Sequence, residues 1–181
     1  MNPQTIYLVR HASPDWGRTD IPYDIPPGPP LTPKGQQEAQ DLGVFLAYMG
    51  VKKLYHSPLE RAAHTAQIAA GAANVPAVEQ AGLAEWITGE KEDAIHKRFW
   101  PVMEAAIAES AQIGPVGLVT HGGPIAYVLR QLKIDLGRLE EHRRRFDHAN
   151  PLPPAGVWAA RRNTENDLWN LELIFMPSQT N

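Results

Sequence analysis

At 181 residues and 43% apolar content, the chain is long enough to bury roughly 70% of the surface it exposes when unfolded, so one ordinary core accounts for it. Its 17 basic and 20 acidic residues leave a net charge of −3, which supplies no global attraction to nucleic acid or to an anionic membrane; any anion site has to be local. The absence of cysteine removes disulfides, thiolate metal ligands and a cysteine nucleophile together.

Met1 to Thr5 carries no basic leader-like stretch, and the apolar run Ile6–Val9 is far too short for a signal or membrane segment. A cytoplasmic setting is therefore expected. The run Ile6-Tyr7-Leu8-Val9 reads as a buried strand that stops at Arg10-His11, at the carboxyl end where open α/β sheets place their ligand sites. Taken alone, the pair fits either a satisfied surface contact or a site.

Ser13 to Pro30 is crowded with proline, glycine and aspartate and cannot hold a regular helix or a central strand. A loop of this length, leaving directly from the Arg-His pair with Trp16 and Tyr23 on it, is expected to be a substrate-facing lid; a plain surface Ω-loop is the alternative. Leu31-Thr32-Pro33 then opens a helix, with Thr32 as N-cap and Pro33 in the first turn. Ala39, Leu42, Leu46 and Met49 recur at helical spacing up to Gly50, which gives an amphipathic, core-facing helix. Val51 to His56 follows as a short strand.

Ser57-Pro58-Leu59-Glu60 has the form of a capping box with proline at the first helical position. Arg61 falls in the first turn, where a cation opposes the helix dipole unless an anion lies between them. A solvated arginine, or one paired with Glu60, is the competing reading. The helix continues through Ala62, Ala66, Ile68 and Ala69 to Gly71, with His64 and Thr65 within a turn of Arg61. Val75 to Val78 is a strand candidate, and Gly82 to Trp86 a loop. Glu90 to Ile113 is helical by its pattern, but Pro101 should kink it or divide it into two shorter helices.

Val116 to Thr120 reads as a fully buried strand ending on His121. Gly122-Gly123 could form a backbone nest facing an anion, or merely a flexible turn, before a helix of Ile125, Ala126, Val128 and Leu129. Arg143, Arg144 and Arg145 sit on a charged helical stretch from Glu140 to Phe146. They cannot all face one ligand, so a solvated face with one arginine reaching a substrate tail is expected. Asn150 to Gly156 is a proline-rich loop. A hairpin at about 157–176 completes a single domain over residues 1–181, with the lid loop at about 13–30.

Arg10, His11, Arg61 and His121 all come from strand ends or from a helix that starts after one. In a mostly parallel α/β sheet such positions converge at one edge, giving a pocket with two fixed positive charges and two imidazoles. Arginine offers paired donors to phosphate oxygens, and a neutral imidazole is a competent nucleophile near neutral pH. The composition of the pocket points to phosphate.

On these residues the chain resembles the histidine phosphatase superfamily, in the branch that includes cofactor-dependent phosphoglycerate mutases (branch 1). The resemblance spans nearly the whole chain through Leu8-Val9-Arg10-His11-Ala12, Leu31-Thr32-x-x-Gly35, Ser57-Pro58-Leu59-x-Arg61-Ala62-x-x-Thr65-Ala66, Leu83-x-Glu85 and Val119-Thr120-His121-Gly122-Gly123. It implies a three-layer αβα sandwich with a mostly parallel central sheet. It also implies His11 as the nucleophile that becomes a phosphohistidine, Arg10 and Arg61 as clamps on the phosphoryl oxygens, and His121 as a stabiliser of the transition state. Glu85 is implied as general acid and base, with Asp15 in the lid as second candidate.

Two positions depart from the family's usual pattern. Ala12 replaces the common glycine, and Pro14 stands where a hydroxyl donor is usual, so Ser13 is the substitute expected to reach the phosphate, with Gly122 beside it. Hydrolysis of a phosphomonoester is the expected reaction, on a phosphorylated small molecule or protein side chain, with neither cofactor nor metal. A phosphoglycerate mutase-like phosphoryl transferase is the enzymatic alternative, disfavoured by the absence of the longer mutases' extra segments. A phosphate-binding or adaptor protein without turnover is the non-enzymatic one.

Overall fold

The computed structural model describes residues 4–178. Strand β1 (Gln4–Arg10) is followed by α1 (Pro33–Tyr48), β2 (Lys53–His56), α2 (Glu60–Ala73), β3 (Ala77–Glu79), α3 (Glu92–Ile113), β4 (Val116–Thr120), α4 (Gly122–Gln131), α5 (Leu136–Arg145), β5 (Val157–Arg162) and β6 (Trp169–Phe175). Short 3₁₀ turns lie at Ala81–Leu83 and Asp147–Ala149. One six-stranded sheet has the order β3-β2-β4-β1-β5-β6. β3, β2, β4 and β1 pair in parallel, and β5 runs antiparallel to both β1 and β6.

Alternation along β1 explains the layers. Ile6 and Leu8 point into a core shared with Phe99 and Met103 of α3 and Ile125 and Val128 of α4. Tyr7 and Val9 point the other way, onto Ala39 and Leu42 of α1 and Ala62 and Ala66 of α2. Both faces are covered, so the strand is apolar without a break from Ile6 to Val9, and each buried Ile or Leu contributes about 1.5–3 kcal/mol. The result is mixed α/β with helices on both faces of the sheet.

This topology decides where side chains meet. α1 and α2 carry the chain outward from β1 to β2 and β3 on one face; α3 brings it back on the other to insert β4 between β2 and β1. The carboxyl ends of β1, β4 and β2 thus lie side by side, with Arg10 in register with Thr120 and His56 with Val119. That is the crevice at which such sheets bind ligands.

Two local expectations are overturned. α3 runs unbroken through Pro101. Ile95, Phe99, Met103 and Ala106 pin it to the sheet on either side of the proline. Pro101 and Lys97, whose carbonyl loses its partner, both lie on the solvent side, where water can take the bond. The capping box at Ser57 does not form either: α2 starts at Glu60, with Leu59 as a cap that makes no side-chain bond. The Ser57 hydroxyl accepts the Leu59 N–H at 3.2 Å and lies 2.8 Å from His121 Nε2, while the Glu60 N–H donates to the Pro27 carbonyl of the 13–30 loop at 2.7 Å. At the α1 start the local reading and the structure agree: Thr32 accepts the Gly35 N–H at 2.9 Å. Gly35 is required there because a Cβ would collide with the Ser13 carbonyl oxygen. Among the described residues no helix is long and apolar enough to cross a membrane.

Candidate active site

A cavity of about 450 Å³ opens at the carboxyl edge of the sheet, lined on its floor by Arg10, His11, Glu85, Gly122 and Gly123. His11 follows β1 directly; its backbone N–H donates to the Thr120 carbonyl at 2.9 Å, which locks it against the end of β4. The residue is 1% exposed. Nδ1 lies 2.8 Å from the Ala12 carbonyl oxygen. A carbonyl can only accept, so Nδ1 carries the proton and Nε2 keeps a lone pair, faced by the Tyr23 hydroxyl at 3.4 Å. Burial, and then the charges of Arg61 and Arg10, hold the imidazole pKa well below its ordinary 6.5, against a smaller opposite effect of the Ala12 bond. The ring is therefore neutral and nucleophilic at neutral pH.

His121 stands 5.2 Å from His11, centroid to centroid. The Ser57 hydroxyl accepts from the Leu59 N–H and needs an acceptor for its own proton; His121 Nε2, at 2.8 Å, is that acceptor. Nδ1 is then the protonated nitrogen, and it is buried without a partner, 3.6 Å from Glu85 Oε2. Burial, followed by Arg61, His11 and Arg10, keeps this imidazole pKa well below 6.5 as well, so His121 offers a neutral N–H to whatever enters.

Arg61, fully buried, donates through Nη1 to the Tyr23 carbonyl at 2.6 Å, and its guanidinium lies 3.8 Å from the centre of the Tyr23 ring. Nε and Nη2 are buried and unpartnered, with Nη2 3.8 Å from Glu85 Oε2. Burial lowers its pKa from the ordinary guanidinium value, against the raising effect of Tyr23 and Glu85. Thr65 ties this turn to the nucleophile by accepting the Ala12 N–H at 3.0 Å and donating to the Arg61 carbonyl at 2.6 Å. Arg10 is 2% exposed, and its Nε is likewise buried and unpartnered. Three side chains around His11 thus hold idle buried N–H donors, an arrangement that is costly unless an anion binds there.

Glu85 sits between these donors. Burial pushes its carboxyl pKa up from 4.5, partly countered by the Trp86 N–H, which donates to Oε1 at 2.9 Å, and by Arg61, Arg10 and Arg98. Arg98 on α3 fixes the turn that presents it, donating to the carbonyls of Gly82, Ala84 and Glu85 at 2.8, 2.8 and 3.0 Å while pairing with Glu90 at 2.7 Å. Nothing in the local sequence around Arg98 marks this duty.

The other expected residues are placed as follows. Gly122 lines the cavity at the start of α4. Neither it nor Gly123 takes a left-handed φ, so their N–H groups form the open first turn of a helix rather than a nest. Asn150 Oδ1 occupies the space where a Gly122 Cβ would go. Ser13 turns away: its N–H and hydroxyl donate to Glu38 at 2.8 and 2.9 Å. The Asp15 carboxylate accepts the Gly17 N–H at 3.0 Å within the loop. Arg143 is the member of the arginine run that lines the cavity.

The 13–30 loop forms one wall. Tyr23 stacks on Trp16 at 4.6 Å, and its hydroxyl reaches to 3.4 Å from His11 Nε2. Trp86 and Arg130 also line the cavity. Among the described residues no three or more histidines or carboxylates are grouped so as to hold a metal ion.

Residues 6–94 match the histidine phosphatase superfamily (branch 1). A 2,3-bisphosphoglycerate-dependent phosphoglycerate mutase of Thermoplasma acidophilum is 27% identical over 141 residues, 65% of this chain and 70% of that protein. The fold matches a phosphoglycerate mutase from Bacillus anthracis with a TM-score of 0.76 at 16% identity, over 96% of this chain and 93% of that one. It also matches a mycobacterial glucosyl-3-phosphoglycerate phosphatase with a TM-score of 0.72 at 18% identity, over 94% and 97%. With the family match, the curated relative and the shared fold in agreement, the chain is a member of the histidine phosphatase superfamily, branch 1, whose members are phosphatases and mutases.

Proposed function

We infer that the protein hydrolyses phosphate monoesters through a phosphoryl group carried on His11. One observation carries this reading: the unprotonated His11 Nε2 belongs to a side chain on the cavity floor, and idle buried donors on Arg10, Arg61 and His121 surround that side chain. Those donors match the charge and oxygens of a phosphoryl group passing through its transition state.

In the first step the Nε2 lone pair attacks phosphorus, an N–P bond forms and the P–O ester bond breaks. The departing alkoxide takes the proton of Glu85, which burial keeps on the carboxyl above the usual range. In the second, the Glu85 carboxylate takes a proton from water as that water attacks phosphorus. The N–P bond breaks, inorganic phosphate leaves, and Glu85 is ready for the next turn. Arg10, Arg61 and His121 Nδ1 hold the non-bridging oxygens throughout.

Phosphoryl transfer back to a second alcohol is the competing reading, favoured by the mutase relative. The glucosyl-3-phosphoglycerate phosphatase that shares the fold supports water as acceptor. Steady-state assay with a generic aryl phosphate decides the matter: hydrolysis at a rate that His11→Ala lowers by on the order of 10⁴–10⁶-fold is expected. Turnover unchanged in that variant contradicts the mechanism, and interconversion of phosphoglycerates without net phosphate release would favour the mutase.

A further inference from the structure

The Arg10 guanidinium has two edges able to grip an oxyanion in pairs: the end, with Nη1 and Nη2, and the side, with Nε and Nη2. The end edge is already taken. Nη1 donates to Asp147 Oδ1 at 2.7 Å and Nη2 to Asp147 Oδ2 at 2.7 Å, while Nη1 also reaches the Leu152 carbonyl at 3.0 Å. Nε remains buried and idle. A phosphoryl group at His11 can therefore meet Arg10 only side-on.

Asp147 is held to this task by its own segment. The Asn150 N–H and side-chain amide both donate to the Asp147 carbonyl, at 3.0 and 2.9 Å. The next two residues, His148 and Ala149, adopt left-handed backbone with φ of 50° and 53°. That conformation is unfavourable for residues with a Cβ and persists where surrounding contacts fix it, commonly at functional sites. Burial raises the Asp147 carboxyl pKa, but the hydrogen bonds and charge of Arg10 outweigh it and hold it below 3.8, so the clamp is ionised wherever the protein is folded near neutral pH.

We propose that Asp147 is a positioning residue for phosphoryl binding: by clamping the end of the Arg10 guanidinium, it turns the Nε edge toward the phosphoryl group on His11. The proposal rests on the reading of the His11 cavity as a phosphoryl site. Without the carboxylate, Arg10 keeps its charge and the Leu152 bond but gains a rotational freedom that places its donors off the phosphoryl oxygens. A displacement of about 1 Å at such a contact costs on the order of 10²-fold in rate.

The test compares wild type with Asp147→Ala and Asp147→Asn, using aryl phosphate kinetics, the inhibition constant of inorganic phosphate, and direct calorimetric binding of inorganic phosphate. Asp147→Ala is expected to lower kcat/KM by about 10²-fold and to weaken phosphate binding by about tenfold or more, with the thermal midpoint close to wild type. Asp147→Asn, which keeps one acceptor oxygen, should fall between the two. A purely structural role would instead reduce the number of competent sites and leave phosphate affinity at the remainder unchanged, and that result overturns the proposal. Tighter phosphate binding in Asp147→Ala also overturns it, because Asp147 would then be a competitor for Arg10. If wild type binds phosphate but turns over no ester, the hydrolase reading fails while the calorimetric comparison still decides for or against Asp147.

Discussion

The floor and the wall of the cavity are built differently. Arg10 and His11 on the floor, with Arg61 and His121 buried around His11, are 0–2% exposed and spring from β1, β4 and the helix after β2, three elements whose relative positions are set by the sheet. The wall comes from loops: Trp16 is 51% exposed, and Tyr23 is held by its stack on Trp16 and on Arg61. A chemistry that needs donors placed within fractions of an ångström is rooted in the rigid part, and whatever selects the rest of the substrate is left to the adjustable part.

The contrast predicts that floor substitutions act mainly on kcat and wall substitutions mainly on KM. Between floor and wall the largest effect belongs to Glu85→Gln, which removes the proton donor while keeping shape: kcat/KM should drop by about 10²–10⁴-fold with an alkyl phosphate and by much less with an aryl phosphate, whose leaving group needs no proton. Equal losses on both substrates would remove Glu85 from the role of acid.

Dependence on pH comes next. The His11 pKa lies well below 6.5 and the Glu85 pKa above 4.5, so neutral nucleophile and protonated acid coexist further into the acid range than ordinary values would allow. The acid limb of kcat/KM should therefore fall well below pH 6.5, and a limb at 6.5 would contradict the buried, neutral His11. Stability carries the opposite sign. Below about pH 6.5 the unfolded chain takes up protons on His11 and His121 that the folded one excludes, so the thermal midpoint should decline as pH drops, even while activity per folded molecule holds.

The smallest effect tests the wall. The Tyr23 hydroxyl stands 3.4 Å from His11 Nε2, in the space that a phosphoryl group has to enter, so the 13–30 loop must yield to substrate. Tyr23→Phe keeps the ring on Arg61 and removes only that hydroxyl. A change of a few-fold in KM with kcat nearly constant is expected; a collapse of kcat would move Tyr23 from the wall to the floor.

The same division marks what could be read in the amino-acid sequence. Strand-end residues were legible because a short apolar run predicts both the strand and its exit, and the parallel topology brings the exits together: Arg10 and His11 line the cavity and Arg61 and His121 are buried around His11, while Glu85, which only the family resemblance implied, lines the cavity beside them. Contacts made at long range were not. The Ser57 hydroxyl fits a helix cap when only its neighbours are considered, yet it lies against His121, 64 positions away. Ser13 stands next to the nucleophile in sequence but is drawn to Glu38 on α1. Asp147 is 137 positions from Arg10 and follows a run of arginines that directs attention elsewhere. Chain length was a weak guide as well, since the Bacillus anthracis phosphoglycerate mutase is matched over 93% of its own chain.

The central claim is that His11 Nε2 takes the phosphoryl group. Brief incubation with a phosphorus-labelled ester followed by alkaline denaturation measures it directly. The account predicts label retained in base, lost in acid, mapped to His11 and absent from His11→Ala; an active enzyme that yields no base-stable label at His11 would contradict it.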